Sequence, residues 1–375
     1  MCEPTLTEEA DMKVVVAGAG YAGTLAANRL AKKVPGAEIT VVNPRADFVE
    51  RVRLHQQLAG TGKAATPLAQ VLRKGVRSRR AAVEKIGDGA VVLDGGETLD
   101  FDYLILAVGS TLSPLPGTVP VGTWEGAEQA RAALAGLGSG ATVTVVGAGP
   151  TGIETAAEIA YARPDLEVRL VGRDFAASLS QGARRRVRAG LERLKVSVLE
   201  DAVDEVEAGT VRLRSGERLA SDVTLWAVIG GVPDLAARSG LRVDERGRVV
   251  VDEYLRSVSD QRILAVGDCA AVPGSRMSCQ TAEPQGVHAA DTLARLAKGR
   301  ALEPYAVEYV ATCVSLGRRD GVIQLARRDD SPRRQYLAGR PGAVTKELVV
   351  RSAGWSARTG IGATGLPGSK DGKGK

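Results

Sequence analysis

The chain is poor in the residues that carry most protein-borne chemistry: 375 residues include four cysteines, two histidines and 3 Phe, 3 Trp and 7 Tyr. Cys2, Cys269, Cys279 and Cys313 show neither Cys-x-x-Cys nor metal-ligand spacing, which argues against a disulfide scaffold or a zinc site and for a cytoplasmic chain. His55 and His288 are too few for a histidine-based metal centre, so no metal is expected. The scarcity of aromatics excludes the stacking platforms of single-strand nucleic-acid binders. No apolar run approaches the ~20 residues that cross a bilayer. Met1 to Met12 carry Glu3, Glu8, Glu9 and Asp11 instead of the basic start and apolar centre of a secretory leader.

Glycine and arginine are plentiful. Forty-five glycines stand against 16 prolines, and 38 of the 50 basic residues are arginine, for a net charge of +6. The length suits two or three domains. The positive balance fits a solvated surface that prefers anionic ligands.

Lys13 to Ala17 is Val-rich and apolar after its first residue, as a strand buried on both faces should be, and runs into Gly18-Ala19-Gly20-Tyr21-Ala22-Gly23. Ala22, Leu25, Ala26 and Leu30 follow at helical spacing, then Pro35-Gly36 and a strand at Glu38 to Val42. The same order recurs at Thr142 to Val146, Gly147-Ala148-Gly149-Pro150-Thr151-Gly152, a helix through Ile153 and Ala160, and a strand at Glu167 to Val171. The chain therefore holds one dinucleotide-binding βαβ unit twice. Short strands, expected to be antiparallel, follow each copy: Arg80 to Lys85, Gly89 to Asp94 and Thr98 to Leu106, then Val196 to Leu199, Thr210 to Arg214 and Asp222 to Ile229. Ile263 to Val266 reads as a buried strand closing on Gly267-Asp268, and Gly360 to Lys375 as a disordered tail.

In each glycine turn the first glycine permits the bend, the second lets a pyrophosphate reach the backbone, and the third lets helix and strand pack closely. The helix N-terminus then faces the phosphates. An acid usually meets the ribose at the end of the second strand, and neither copy has one. The first offers Asn43, Pro44 and Arg45, where Asn43 can still pair with a diol and Arg45 can stack on adenine or reach a phosphate. The second offers Gly172 and Arg173, which removes repulsion toward a 2′-phosphate. Arg173, with Arg184, Arg185 and Arg186, either supplies charge-assisted bonds of ~1.5–3 kcal/mol, which would favour NADPH over NADH, or is an exposed helix face.

The two units, Leu106-Ala107-Val108-Gly109, Gly267-Asp268 and Thr281-Ala282-Glu283-Pro284-Gln285-Gly286 together resemble the two-dinucleotide-binding-domain flavoproteins, the superfamily of the pyridine nucleotide-disulfide oxidoreductases. Glu50 to Gln56 and Cys313 to Gly321 resemble its type II NADH dehydrogenase branch. The resemblance implies an α/β fold of two Rossmann-like three-layer domains, the second inserted in the first, with a small C-terminal α+β segment. It places an FAD domain at 12–117 and 255–300, an NAD(P)H domain at 118–254, an interface segment at 301–358 and a tail at 359–375. FAD would lie on Gly18, Gly20, Tyr21, Ala22, Gly23, Asn43, Pro44, Arg45, Arg51, Ala107, Gly109, Gly267, Asp268, Ala282, Pro284 and Gln285, with Asp268 on the ribityl chain and a helix starting near Pro284 aimed at the flavin N1–C2=O edge. NAD(P)H would lie on Gly147, Gly149, Pro150, Thr151, Gly152, Glu154, Gly172, Arg173 and Gly230.

One departure is decisive for the chemistry. Disulfide reductases of this superfamily carry a cysteine pair beside the flavin, and Asp47 to Gly62 contains no cysteine, which excludes a thiol relay. Cys279 is a lone thiol, read as a small buried hydrophobe. What remains is hydride transfer from nicotinamide to flavin N5, then electrons to an acceptor needing no protein nucleophile. Glu154 is similar to a family glutamate near the nicotinamide, or is a helix-start acid. His55 is either the proton donor to the acceptor or a packed side chain. The expected acceptor is quinone-like. An acidic redox protein such as a ferredoxin, a specialised metabolite, or a redox-sensing role with little turnover stay open. A homodimer is allowed. The one candidate membrane helix, Thr345 to Arg358, is too short and thinly apolar to anchor firmly, so at most weak membrane association is expected.

Overall fold

The structure, a computed structural model, describes residues 12–362; the acidic start and residues 363–375 of the expected tail lie outside the described residues. Three consecutive valines make Lys13–Ala17 a strand, buried at every position but the first. It pairs in parallel with Glu38–Asn43 on one side and Tyr103–Leu106 on the other. Arg77–Arg80 and Ile263–Ala265 complete a five-stranded parallel sheet. Helix α1 (Tyr21–Lys33) connects the first two strands and buries Leu25, Ala26 and Leu30. The short helix α2 (Leu54–Ala59) follows, ending on Gly60 in the left-handed region.

The second sheet repeats the plan. Thr142–Val146 pairs in parallel with Glu167–Val171 over the same five-residue register that joins Lys13–Ala17 to the strand after it. Val223–Trp226, Val119–Pro120 and Ser197–Leu199 fill out five parallel strands. Helix α3 (Pro150–Ala162) starts with proline in its first turn, where no N–H is needed. Helix α4 (Gln181–Arg193) is capped by Ser180, whose hydroxyl accepts from the Ala183 N–H. Because Ile263–Ala265 returns to the first sheet, the second is interposed in sequence within the first.

Several strand expectations need correction, two of them for one repeated reason. Thr98 to Leu106 is two strands: Thr98–Asp100 joins an antiparallel sheet, and Tyr103–Leu106 the parallel one. Between them Asp102 accepts from the Lys13 N–H at 2.7 Å, fastening the chain as it changes sheets. Asp222 does the same to the Thr142 N–H at 2.7 Å, and Asp222 to Ile229 likewise divides into Val223–Trp226 and Ile229–Gly231. Arg80 to Lys85 splits between the parallel edge strand Arg77–Arg80 and the antiparallel Val83–Ile86. Val196 to Leu199 shortens to Ser197–Leu199 and is parallel.

Helix α5 (Cys279–Leu296) also begins earlier than expected. The Ala282 N–H donates to the Ser278 carbonyl at 3.0 Å, so the first turn closes before Pro284, which sits inside the helix and costs it one interior bond. Gly286 lets α5 cross α1 closely: a Cβ there would lie 2.4 Å from the Ala22 carbonyl oxygen. The chain ends in an antiparallel sheet of Ala311–Ser315, Gly321–Ala326 and Pro332–Ala338, then helix α6 (Arg340–Thr359). At 20 residues α6 is longer than the stretch Thr345 to Arg358 suggested; it packs Ala353 and Ala357 on the first core and exposes Val344, Leu348, Val349 and Trp355. Asn28 fixes its end by donating to the Ala357 carbonyl at 2.7 Å. No helix among the described residues is long and apolar enough to cross a membrane.

Candidate functional site

The two glycine turns have the same geometry. Gly18 and Gly147 have φ of +106° and +114°, open to glycine alone at no cost. A Cβ on Gly23 would come 2.0 Å from the Gly18 carbonyl oxygen, and one on Gly152 1.7 Å from that of Gly147, so these third glycines serve packing. Gly20 and Gly149 differ: a Cβ on either meets no heavy atom within 4 Å. Each is also the N-cap of its helix, with no side chain on the free N–H groups of the first turn, around Tyr21 and Ala22 in one copy and, past Pro150, around Thr151 in the other. Open space in front of unsatisfied donors at a helix start fits a pyrophosphate.

At the first turn Asn43 is used largely by the protein. Its Oδ1 accepts from the Ala19 N–H at 3.1 Å and its Nδ2 donates to the Arg45 carbonyl at 2.8 Å, which stiffens the glycine turn. Arg45 is bound through two nitrogens to Glu125, at 2.6 Å each, and Pro44 is exposed. Gly109 and Gly267 both take positive φ where strands leave the first sheet, beside Ala107 and Asp268. Asp268 accepts from the Ser110 hydroxyl at 2.7 Å, with the Arg51 guanidinium 3.8 Å away. Gln285 accepts from the Gly267 N–H at 2.6 Å, and Ala282 packs over the same glycine. This gathers Arg51, Ser110, Asp268 and the first turns of α1 and α5 at one end of the first sheet; Pro284 lies on α5 beside them.

At the second turn Gly172 excludes any side chain, since a Cβ would fall 2.5 Å from the Ala148 nitrogen. Gly230 is equally close to Ser113, at 2.4 Å. Arg173, Arg184 and Arg185 are exposed and make no salt bridge among the described residues, whereas Arg186 pairs with Asp320 at 2.7 Å.

The two catalytic candidates, His55 on α2 and Glu154 on α3, meet in one buried network. Glu154 Oε1 accepts from the Ser315 N–H at 2.9 Å and hydroxyl at 3.1 Å, and lies 3.0 Å from Lys346 Nζ on α6. The Ser315 hydroxyl stands 3.4 Å from His55 Nε2. Burial pulls the His55 pKa down to about 4; Glu154 opposes this and Lys346 adds to it, so the ring is neutral at pH 7. Burial alone would raise the Glu154 carboxyl, but Lys346 above all holds it below its ordinary value, and Glu154 in turn raises Lys346 against burial. One turn further along α3, Glu158 is fully buried, accepts from the Thr61 hydroxyl, and is raised by desolvation.

Ser315, Lys346 and Glu158 escape the sequence reading. One signal was available: Lys346 is the only lysine in residues 301–358, where every other basic residue is arginine. A groove of about 480 Å³ between α6 and the Leu316–Asp320 turn reaches Gln56, Ser315 and Lys346. Among the described residues no thiol pair accompanies the site: Cys269, Cys279 and Cys313 are free, and burial raises all three thiols. No metal-binding cluster occurs among the described residues.

Comparison with known proteins places the fold and the family. The family model for pyridine nucleotide-disulphide oxidoreductases matches residues 12–286. An NADH dehydrogenase-like protein of Mycobacterium tuberculosis is 31% identical over 379 residues, covering 90% of this chain and 92% of its own. Human ferroptosis suppressor protein 1 is 29% identical, covering 85% and 90%. Among solved structures, sulfide:quinone oxidoreductase from Aquifex aeolicus superposes with a TM-score of 0.80 at 18% identity over 93% of this chain and 92% of that one. NDH2 from Plasmodium falciparum does so with 0.77 at 15% over 94% and 97%; both likenesses concern the fold. The chain belongs to the pyridine nucleotide-disulphide oxidoreductase family and is an NAD(P)H oxidoreductase of the flavoprotein type.

Proposed function

We propose that the protein passes electrons from NAD(P)H through FAD to a small quinone-like acceptor, which it reduces beside Lys346 and Ser315. The carrying observation is the buried chain Lys346–Glu154–Ser315–His55 at the end of a groove, in a site without a cysteine pair. FAD, when bound, supplies a hydride acceptor at N5 and a store for two electrons. Reducing a quinone takes two electrons and two protons, and the hydride brings only one proton with it. The other must come from solvent through the protein.

The residues suit that task. Lys346, its side chain 13% exposed, provides positive charge where negative charge grows on the acceptor oxygen. Neutral His55 has one ring nitrogen to accept a proton and one to donate it, and Ser315 links it to Glu154. His55 thus acts as a relay and not as a standing imidazolium. Glu154 positions Lys346 and Ser315. Gly20 and Gly149 leave room for the two pyrophosphates, and Asp268 with Arg51 and Ser110 forms the polar end of the FAD site.

We further propose NADPH as the better donor. Exposed Arg173 follows a glycine where no carboxylate can stand, so the usual acid at that position is not there to repel a 2′-phosphate. The relatives named as NADH dehydrogenase-like support the reaction class. The test is anaerobic: flavin bleaching by each nicotinamide, then reoxidation by a quinone, in wild type and Lys346→Met. Reoxidation slowed at least 10-fold by the substitution is the expected result; an unchanged reoxidation rate would remove Lys346 from the acceptor site.

A further inference from the structure

We propose that the preferred acceptor is an anion, a conjugated quinonoid ring carrying a carboxylate, sulfonate or phosphate group, held at the groove mouth by Arg319 and Arg340. This rests on the quinone-like reading above and narrows it.

The groove has an amphipathic wall. Val344 and Leu348 are each 60% exposed along α6, an apolar surface for a ring. Around them stand Arg318, Arg319, Arg340 and Arg351, with Lys346 at the inner end. The only acid lining the groove is Glu347, and it is already shared: Arg53 at 3.0 Å, Arg351 at 2.9 Å and Arg318 at 3.4 Å all address it. The Lys346 ammonium, still charged, already has Glu154 as its partner. Arg319 and Arg340 are left with no side-chain hydrogen bond and no salt bridge among the described residues. Both are exposed. Arg340 also opens α6, whose N-cap, Gly339, offers no side chain to the free N–H groups there.

A neutral, wholly apolar quinone would cover these guanidinium groups without satisfying them, and that is unfavourable. An anionic substituent reverses the balance, because a guanidinium binds carboxylate, sulfonate or phosphate oxygens through paired, charge-assisted hydrogen bonds. The reacting carbonyl then lies inward, toward Ser315 and Lys346, and the charged group outward.

The test compares two acceptors on the FAD-loaded enzyme, 2-methyl-1,4-naphthoquinone and 1,4-naphthoquinone-2-sulfonate, in wild type, R319Q/R340Q and R319K/R340K. The proposal expects the ratio of kcat/KM, sulfonate over neutral, to fall at least 10-fold in R319Q/R340Q and to recover in part in R319K/R340K, which keeps the charge but loses the fork. An unchanged ratio overturns it. Calorimetric binding of 1-hydroxy-2-naphthoate, which is not reduced, separates the two readings. If no quinone reoxidises the flavin, yet naphthoate binds wild type and loses at least 10-fold in affinity in R319Q/R340Q, the anion site stands and the quinone reading fails. Failure of naphthoate to distinguish the proteins, together with loss of binding to phosphatidylglycerol vesicles in R319Q/R340Q, would assign these arginines to a lipid surface and overturn the proposal.

Discussion

Lys346 on the C-terminal helix sets its ammonium 3.0 Å from the carboxylate of Glu154 on the helix of the second nucleotide-binding unit, with their side chains only 13% and 8% exposed. The pair joins the last element of the chain to the middle one and holds opposite charges where water does little to screen them. Removing one partner strands the other. Lys346→Met or Glu154→Gln alone should each lower stability by about 3–5 kcal/mol, and the double variant should lose clearly less than their sum. Denaturant unfolding of the four proteins measures this. Additive losses would mean that the pair is not coupled.

His55 gives the folded protein a signature in acid. Its pKa falls from 6.5 to about 4 on folding, so between those values the unfolded chain binds the proton and the folded chain does not. Stability contributed by the neutral ring is complete above pH 6.5 and lost as pH falls toward 4, by about 3 kcal/mol. The raised carboxyls of Glu158 and Glu283 act with the opposite sign, so the diagnostic is the difference between wild type and His55→Gln. The wild-type Tm should fall more steeply from pH 6.5 to 4. Parallel Tm curves would show that His55 is not buried in its neutral form.

The glycines of the turns should separate by role. Gly23→Ala forces a Cβ against the Gly18 carbonyl and should cost folded protein. Gly20→Ala meets nothing and should fold, but should purify with little flavin. Gly149→Ala should keep its flavin and raise KM for the nicotinamide at least 10-fold. Flavin content by absorbance and steady-state KM check these outcomes. Full flavin in Gly20→Ala would move the pyrophosphate off that turn.

The duplicated units were legible because local rules decide them: alternating strand, glycine turn and helix have fixed spacings, and the core accepts only that register. His55 and Glu154 stood out by rarity and by place after a motif. The network around them was hidden, because Ser315 and Lys346 reach Glu154 only after the C-terminal sheet and α6 fold back onto α3. The break at Asp102 was hidden for a similar reason: that carboxylate ends a strand by capturing the Lys13 N–H, a partner far off in sequence. Arg45 illustrates the limit for charge, since nothing local indicates that Glu125 will take it.

The proposed preference for NADPH rests on Arg173. Arg173→Ala should lower kcat/KM for NADPH about 10-fold, the worth of one charge-assisted contact, and leave NADH nearly unaffected. Steady-state rates with both donors report it. Equal losses with both would place Arg173 away from the 2′-position.

In the proposed reaction electrons leave this flavoprotein for a small quinone without a thiol relay. Double-mixing anaerobic stopped-flow tests it: the enzyme is reduced with NADPH and then mixed with 2-methyl-1,4-naphthoquinone, in wild type and in a variant with Cys269, Cys279 and Cys313 replaced by serine or alanine. Complete flavin reoxidation, fast enough to sustain turnover and equal in both proteins, is the expected result. Reduced flavin that persists in the presence of the quinone, or reoxidation abolished in the cysteine-free site while flavin reduction remains intact, would contradict it.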